Sequence, residues 1–145
     1  MKKVLVCLCL FLTMGITGCQ CNLSHTHYYN DYGVCNCGSD IAQELIYSNE
    51  EYNSTTDAIM QGEIYYYKFT SHGENGMDFY LESESVTFDR VEIRAEGMLQ
   101  TVATRKDYND KIYTYNKSLT NDKVYYLKVT YKGDGSIKLI LKTIA

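Results

Sequence analysis

Five side chains near the start of this 145-residue chain have the types and spacing to hold a metal ion: Cys21, His25, His27, Cys35 and Cys37. Thiolates and imidazoles are the donors that Zn²⁺ takes, four at a time, in a tetrahedron. The favoured set is Cys21, one of His25 or His27, Cys35 and Cys37. Gly33 and Gly38 flank the second cysteine pair, where a ligand loop has to turn tightly around an ion. Four protein ligands leave no open position for water, so zinc held this way is structural rather than catalytic. Two other readings stay open. In an oxidising compartment Cys21 pairs with Cys35 or Cys37 as a disulfide and leaves one thiol over. Otherwise the tract is a tether whose Cys and His residues do nothing specific.

The compartment is indicated by the residues ahead of this cluster. Lys2 and Lys3 precede an apolar run from Val4 to Met14, and Ile16-Thr17-Gly18-Cys19 follows. This resembles a bacterial lipoprotein signal peptide with its lipobox. The resemblance implies cleavage after Gly18, acylation of Cys19 and a lipid-anchored protein on the extracytoplasmic face of a cell membrane. The apolar run is too short for a spanning helix, which needs about 20 residues. The implied diacylglyceryl cysteine brings the two acyl chains that stable anchoring requires. Processing also changes the cysteine arithmetic. Cys7 and Cys9 leave with residues 1–18 and Cys19 is consumed by lipid, so Cys21, Cys35 and Cys37 remain beside two histidines. The His-x-His followed by Gly-x-Cys-x-Cys-Gly is similar to short Cys/His knuckles of bacterial surface proteins, although zinc knuckles more often space their cysteines as Cys-x-x-Cys.

Residues 19–57 read as a tether and 58–145 as a single domain. Without residues 1–18 the chain carries 12 basic against 18 acidic side chains, a formal charge of −6. Such a chain has no electrostatic footprint for nucleic acid. Fifteen tyrosines with no proline and no tryptophan favour strands. From Glu63 onward apolar residues alternate: Tyr65, Tyr67 and Phe69, then Met77, Phe79 and Leu81, then Val91, Ile93 and Ala95. Ile112 to Tyr115 is a shorter candidate. Tyr125, Leu127, Val129 and Tyr131 form another inward row, and Lys132-Gly133-Asp134-Gly135 is a hairpin signal before Ile137, Leu139 and Leu141. Seven or eight short strands with one buried face predict an all-β, antiparallel, jelly-roll-like sandwich.

The strand opening at Gly62-Glu63-Ile64-Tyr65-Tyr66-Tyr67-Lys68-Phe69 resembles that of bacterial pre-peptidase C-terminal domains. Ser118 to Val129 and the glycine turn before Leu141 are similar to the family's closing strands. The chain departs from the family at Asn121-Asp122, where glycine is usual, and in a mid-domain acidic loop reduced to Asp107-Tyr108-Asn109-Asp110. The resemblance implies an accessory sandwich of the kind attached to secreted enzymes, some of which assist binding to substrate or matrix.

Chemistry in the body is sparse. His72 reads as an exposed turn-tip histidine, and there is no Gly-x-Ser-x-Gly elbow and no phosphate-cradling glycine loop. Asp107, Asn109 and Asp110 read as a turn rather than a Ca²⁺ loop. Tyr66 and Tyr126 should face outward, packed across strands or offering a stacking platform. The sequence therefore predicts a non-enzymatic lipoprotein with no catalytic residues, whose sandwich takes an extracellular glycan, peptide or protein. The alternative is a protein of extracytoplasmic zinc binding or delivery, with the five Cys and His residues as an exchangeable site.

Overall fold

A computed structural model describes residues 27–144; Cys19, Cys21 and His25 of the expected sites lie outside them. Strands β1 (Gln43–Glu44), β2 (Ile46–Ser48), β3 (Glu51–Ile59), β4 (Ile64–Thr70), β5 (Met77–Glu82), β6 (Thr87–Ala95), β7 (Thr101–Val102), β8 (Thr104–Arg105), β9 (Ile112–Tyr115), β10 (Val124–Lys132) and β11 (Gly135–Thr143) follow in order. Among the described residues there is no helix. Seven of the strands have four or more residues, and the other four are short edge pieces.

They form two sheets, β1-β4-β10-β6-β7 and β2-β3-β11-β5-β9-β8. Every pairing is antiparallel except β1 with β4, which is parallel. The expected all-β sandwich is what forms. Its core lies between the sheets: Tyr67, Phe69, Phe88, Val91, Ile93, Tyr125, Leu127 and Val129 come from the first, and Tyr52, Met77, Phe79, Leu81, Leu139 and Leu141 from the second. Aromatic pairs join the layers, with Tyr52 against Phe69 at 4.8 Å and Phe88 edge-on to Tyr113 at 5.3 Å.

The sandwich starts earlier than the expected boundary at residue 58. Leu45 is buried where the chain steps from β1 in one sheet to β2 in the other, and β3 pairs with β11 from Glu51 onward. The reason β3 is hard to read is chemical. Its inward positions include Tyr52 and the small polar Ser54, both buried, so period-2 alternation survives without an apolar signature. A second irregularity lies in β6. Its register with β10 shifts between Thr130 and Tyr131, so both Asp89 and Arg90 face away from the core and Phe88 turns inward three residues before Val91. That is a β-bulge, which costs one ladder position and re-aims the strand.

The hairpin expected at Lys132-Gly133-Asp134-Gly135 does not form: β10 and β11 do not pair, and the glycine turn instead carries the chain from the first sheet to the second. A Cβ on Gly133 would fall 2.3 Å from the Ser85 carbonyl oxygen, and its φ of +86° lies in the left-handed region.

Candidate metal centre

The segment ahead of β1 is built as a knuckle rather than as an extended tether. Asn30 Oδ1 accepts from the amides of Tyr32 and Val34, and Gly33 N donates to the Asn30 carbonyl. This is the side-chain turn that Asn commonly makes. Tyr29 bridges Cys35 and Val34 bridges Asp40 in antiparallel fashion, and Cys35 N donates to Ser39 O at 2.7 Å. Between them Gly38 N donates back to the Cys35 carbonyl at 2.9 Å, closing a tight turn around Asn36 and Cys37. Gly38 takes φ +87°, the conformation for which glycine was expected at that position.

This turn brings His27, Cys35 and Cys37 together. One donor atom from each lies within 4.8 Å of the other two, and His27 Nδ1 is 3.2 Å from Cys37 Sγ. Two ligands on a tetrahedral zinc sit about 3.6–3.8 Å apart, given bond lengths near 2.1 and 2.3 Å. The 3.2 Å contact is a little shorter than that and the 4.8 Å outer limit a little longer, so the three donors are close enough together to converge on one ion. Cys35 is buried, while His27 and Cys37 are half-buried. The other expected ligands, Cys21 and His25, precede His27 and lie outside the described residues.

The knuckle packs on the outer face of the first sheet. Gly33 sits against the Tyr66 ring, where a Cβ would come 3.1 Å from Cγ and 2.7 Å from Ile41 Cγ1. Asp40 accepts from Lys68 Nζ at 2.9 Å, which holds the lysine above its ordinary pKa. Tyr32 is 2 % exposed under the Arg94 guanidinium, at 5.4 Å from the ring centroid. Burial, then the nearby Glu92 carboxylate, pushes its phenol up to about 12. Glu92 points outward from β6 but is covered: it accepts from the Arg90 guanidinium and the Gln100 amide, and the Lys128 ammonium lies 3.9 Å away as an ion pair. Tyr66 is thus packed rather than exposed, and Tyr126 lines a cleft beside the knuckle.

His72 does not stand alone at a turn tip. Its ring is half exposed but stacks on Tyr47 at 4.2 Å, and its Nδ1 is 2.6 Å from Tyr52 Oη. Tyr52 Oη is also 2.6 Å from Glu74 Oε1, and Ser71 Oγ donates to Glu74 Oε2 at 2.5 Å. Burial alone would raise the Glu74 carboxyl. The Ser71 and Tyr52 hydroxyls and the His72 amide outweigh it and hold Glu74 below its ordinary value of 4.5. Tyr52 Oη donates to Glu74 Oε1, with the Thr70 carbonyl oxygen also 2.9 Å away, and the direction of its hydrogen bond with His72 Nδ1 follows the imidazole tautomer. The cluster has the residue types of a hydrolytic triad without its geometry. Ser71 is fully buried and donates to the carboxylate, not to the imidazole. Its work is to fold the β4–β5 loop. Only the Tyr52 partner, from a strand hidden in the sequence, was needed to see this.

A stability consequence follows for Glu74. Because its folded pKa is depressed, its contribution is complete above 4.5 and is lost as pH falls through the lowered value. Glu74→Gln is expected to cost about 1.5–3 kcal/mol at pH 7, the range for hydrogen bonds to a charged group. The gap to wild type should narrow in thermal unfolding below pH 4.5.

Asp107 behaves as the turn reading expects. Its Oδ1 accepts from the amides of Lys111 and Ile112, both at 2.9 Å, and Asp110 pairs with Arg105.

No protein-family model and no curated protein sequence matches the chain. Among solved structures, it is similar to PliG of Salmonella Typhimurium, a periplasmic inhibitor of g-type lysozyme. Identity there is 12 %, over 70 % of this chain and 96 % of that one, with a TM-score of 0.47. It is also similar to the pre-peptidase C-terminal domain of a Bacillus anthracis collagenase, with 18 % identity over 70 % of this chain and 94 % of that one and a TM-score of 0.43.

Proposed function

We propose that this protein is a non-enzymatic extracytoplasmic lipoprotein in which zinc fastens the N-terminal segment to a β-sandwich binding module. Cys19 carries the lipid, and Cys21, one of His25 or His27, Cys35 and Cys37 hold the zinc. The observation that carries the reading is the convergence of the His27, Cys35 and Cys37 donor atoms within 4.8 Å, on a turn seated against the first sheet. A metal at that point would close a loop that already has its backbone bonds, which suits a structural ion. His27 follows the lipobox cysteine by eight residues, so it lies within about 28 Å of the anchor even when the chain is fully extended. The sandwich is then a module held close to the membrane surface, and its ligand is an extracellular glycan, peptide or protein.

The half-buried state of His27 and Cys37 favours one second reading, extracytoplasmic zinc binding or delivery, because exchange needs access to the ion. Lability separates the two. A structural ion survives mild chelation, whereas a delivered one leaves readily.

Intact mass spectrometry of the membrane-extracted protein, under native and denaturing conditions, tests the proposal. The expected denatured mass begins at an acylated Cys19 with all remaining thiols reduced, and the native mass adds one zinc. A start at another residue would refute the anchor. A two-dalton deficit with no metal would refute the zinc site and establish the disulfide.

A further inference from the structure

The knuckle does more than cover the sheet, because it forms one wall of a cleft. Asn30, Tyr32, Cys35, Asn36 and Gly38 face Arg94, Lys123 and Tyr126 across a space of about 670 Å³. The basic residues there differ from those elsewhere. Of the twelve lysines and arginines among the described residues, nine are held by a carboxylate or by carbonyl oxygens. Arg94, Lys117 and Lys123 are the exceptions, and two of these three line the same cleft. In an acidic chain that pairs its cations so thoroughly, two uncommitted ones in one concavity are left for an outside anion. The Arg94 guanidinium is oriented by its seat on the buried Tyr32 ring, so its planar fork loses little freedom on binding.

The remaining walls define the ligand further. Glu96 and Asp122 also line the cleft, and the mature chain is acidic, so a polyanion would be repelled. One carboxylate is the charge that fits. The Asn36 amide, the Nδ2 of Asn30 and the Tyr126 phenol add hydrogen-bonding groups and one ring, the complement of a hydroxyl-rich ring rather than of an apolar side chain. We infer that this cleft binds a saccharide bearing a single carboxylate, with Arg94 and Lys123 taking the carboxylate and Asn36 and Tyr126 the sugar ring. The inference rests on the binding-module reading above and names its ligand class.

The test uses the full-length protein extracted in detergent, with saturation-transfer NMR and titration of methyl β-D-glucuronide, methyl β-D-glucoside and the dipeptide Ala-Ala. The glucuronide should bind, with the glucoside at least tenfold weaker and Ala-Ala not detected. Arg94→Gln should weaken glucuronide binding at least tenfold and Lys123→Gln three- to tenfold. Lys132→Gln, which removes the partner of Asp89 at the far end of β10, should leave it unchanged. The inference is overturned if the glucuronide does not bind, if the glucoside binds equally, if Ala-Ala binds in its place, or if Arg94→Gln and Lys123→Gln both behave like Lys132→Gln. Near-UV circular dichroism confirms that each variant is folded. Zinc and lipid measured on the same wild-type sample report separately on the anchor and the knuckle, so a failed lipoprotein reading is distinguishable from a failed ligand.

Discussion

Chelating the proposed zinc, or replacing Cys35 with Ser, is expected to release residues 27–41 while the sandwich stays folded. The two parts are held by different physics. The sandwich has an apolar core of its own, with Phe79, Phe88, Val91, Ile93, Leu127 and Leu141 fully buried between two sheets. The knuckle has few such residues. Its buried side chains are Tyr32 and Cys35, and its other ties to the sheet are the Lys68–Asp40 pair and the Gly33 contact with Tyr66. Small elements of this kind depend on their metal, whose binding free energy becomes their folding free energy. Cys35→Ser replaces the buried sulfur with a hydroxyl that is a poor zinc ligand, so the zinc content, proposed to be one per chain, should fall to near zero. Hydrogen exchange is the measurement. Amides that close the knuckle, Cys35 N, Gly38 N and Ile41 N, should lose protection at least a hundredfold, and β4, β6, β10 and β11 should keep theirs. Uniform loss of protection would show that the metal supports the whole fold. No change on chelation would remove the metal from the account of the knuckle. The predicted cleft should weaken along with the knuckle, because Asn36 and Gly38 form its wall.

Strands with apolar inward rows were legible before the fold was known. Val91, Ile93 and Ala95 point inward because alternation leaves them no other common face, and Tyr125 to Tyr131 repeat the argument on β10. What failed to register shares one cause, namely polar residues in buried positions. Ser54 hides β3, and without β3 the Tyr52 partner of His72 and Glu74 has no place in a sequence argument. Glu92 reads as a solvated residue because nothing local announces Arg90, Gln100 and Lys128 closing over it. The Asp89 bulge likewise depends on the register with β10, a contact between strands more than thirty residues apart. The candidate metal centre was legible in part. Residue type and spacing picked out His27, Cys35 and Cys37, but the docking of their turn on the outer face of the first sheet required Tyr66, Lys68 and Arg94 to be placed beside it.

Leu127→Ala is expected to be a strongly destabilising truncation in the sandwich. Leu127 lies on β10, the central strand of the first sheet, directly opposite Tyr67 of β4 on one side and Ile93 of β6 on the other. It is fully buried, so its neighbours on both flanking strands and on the facing sheet have no solvent-side route by which to collapse into the space it leaves. The lost transfer free energy and the residual cavity together should cost about 3–4 kcal/mol, within the range of 2–5 kcal/mol seen for such truncations. Against a total stability of about 5–15 kcal/mol this is a large fraction. For a domain near 100 residues it should lower the melting temperature by roughly 12–25 °C. The same truncation at Val124, on the exposed start of that strand, should change it by less than about 0.5 kcal/mol. Thermal and urea unfolding of both variants checks the pair. Equal, small effects would mean that the two sheets do not close a tight core over β10. The comparison also bears on the cleft, since Tyr126 and Leu127 are adjacent on one strand and face opposite ways. A cavity at Leu127 that loosens β10 should weaken glucuronide binding without touching any residue that lines the cleft. That is the expected signature of a site whose geometry is set by the sheet beneath it.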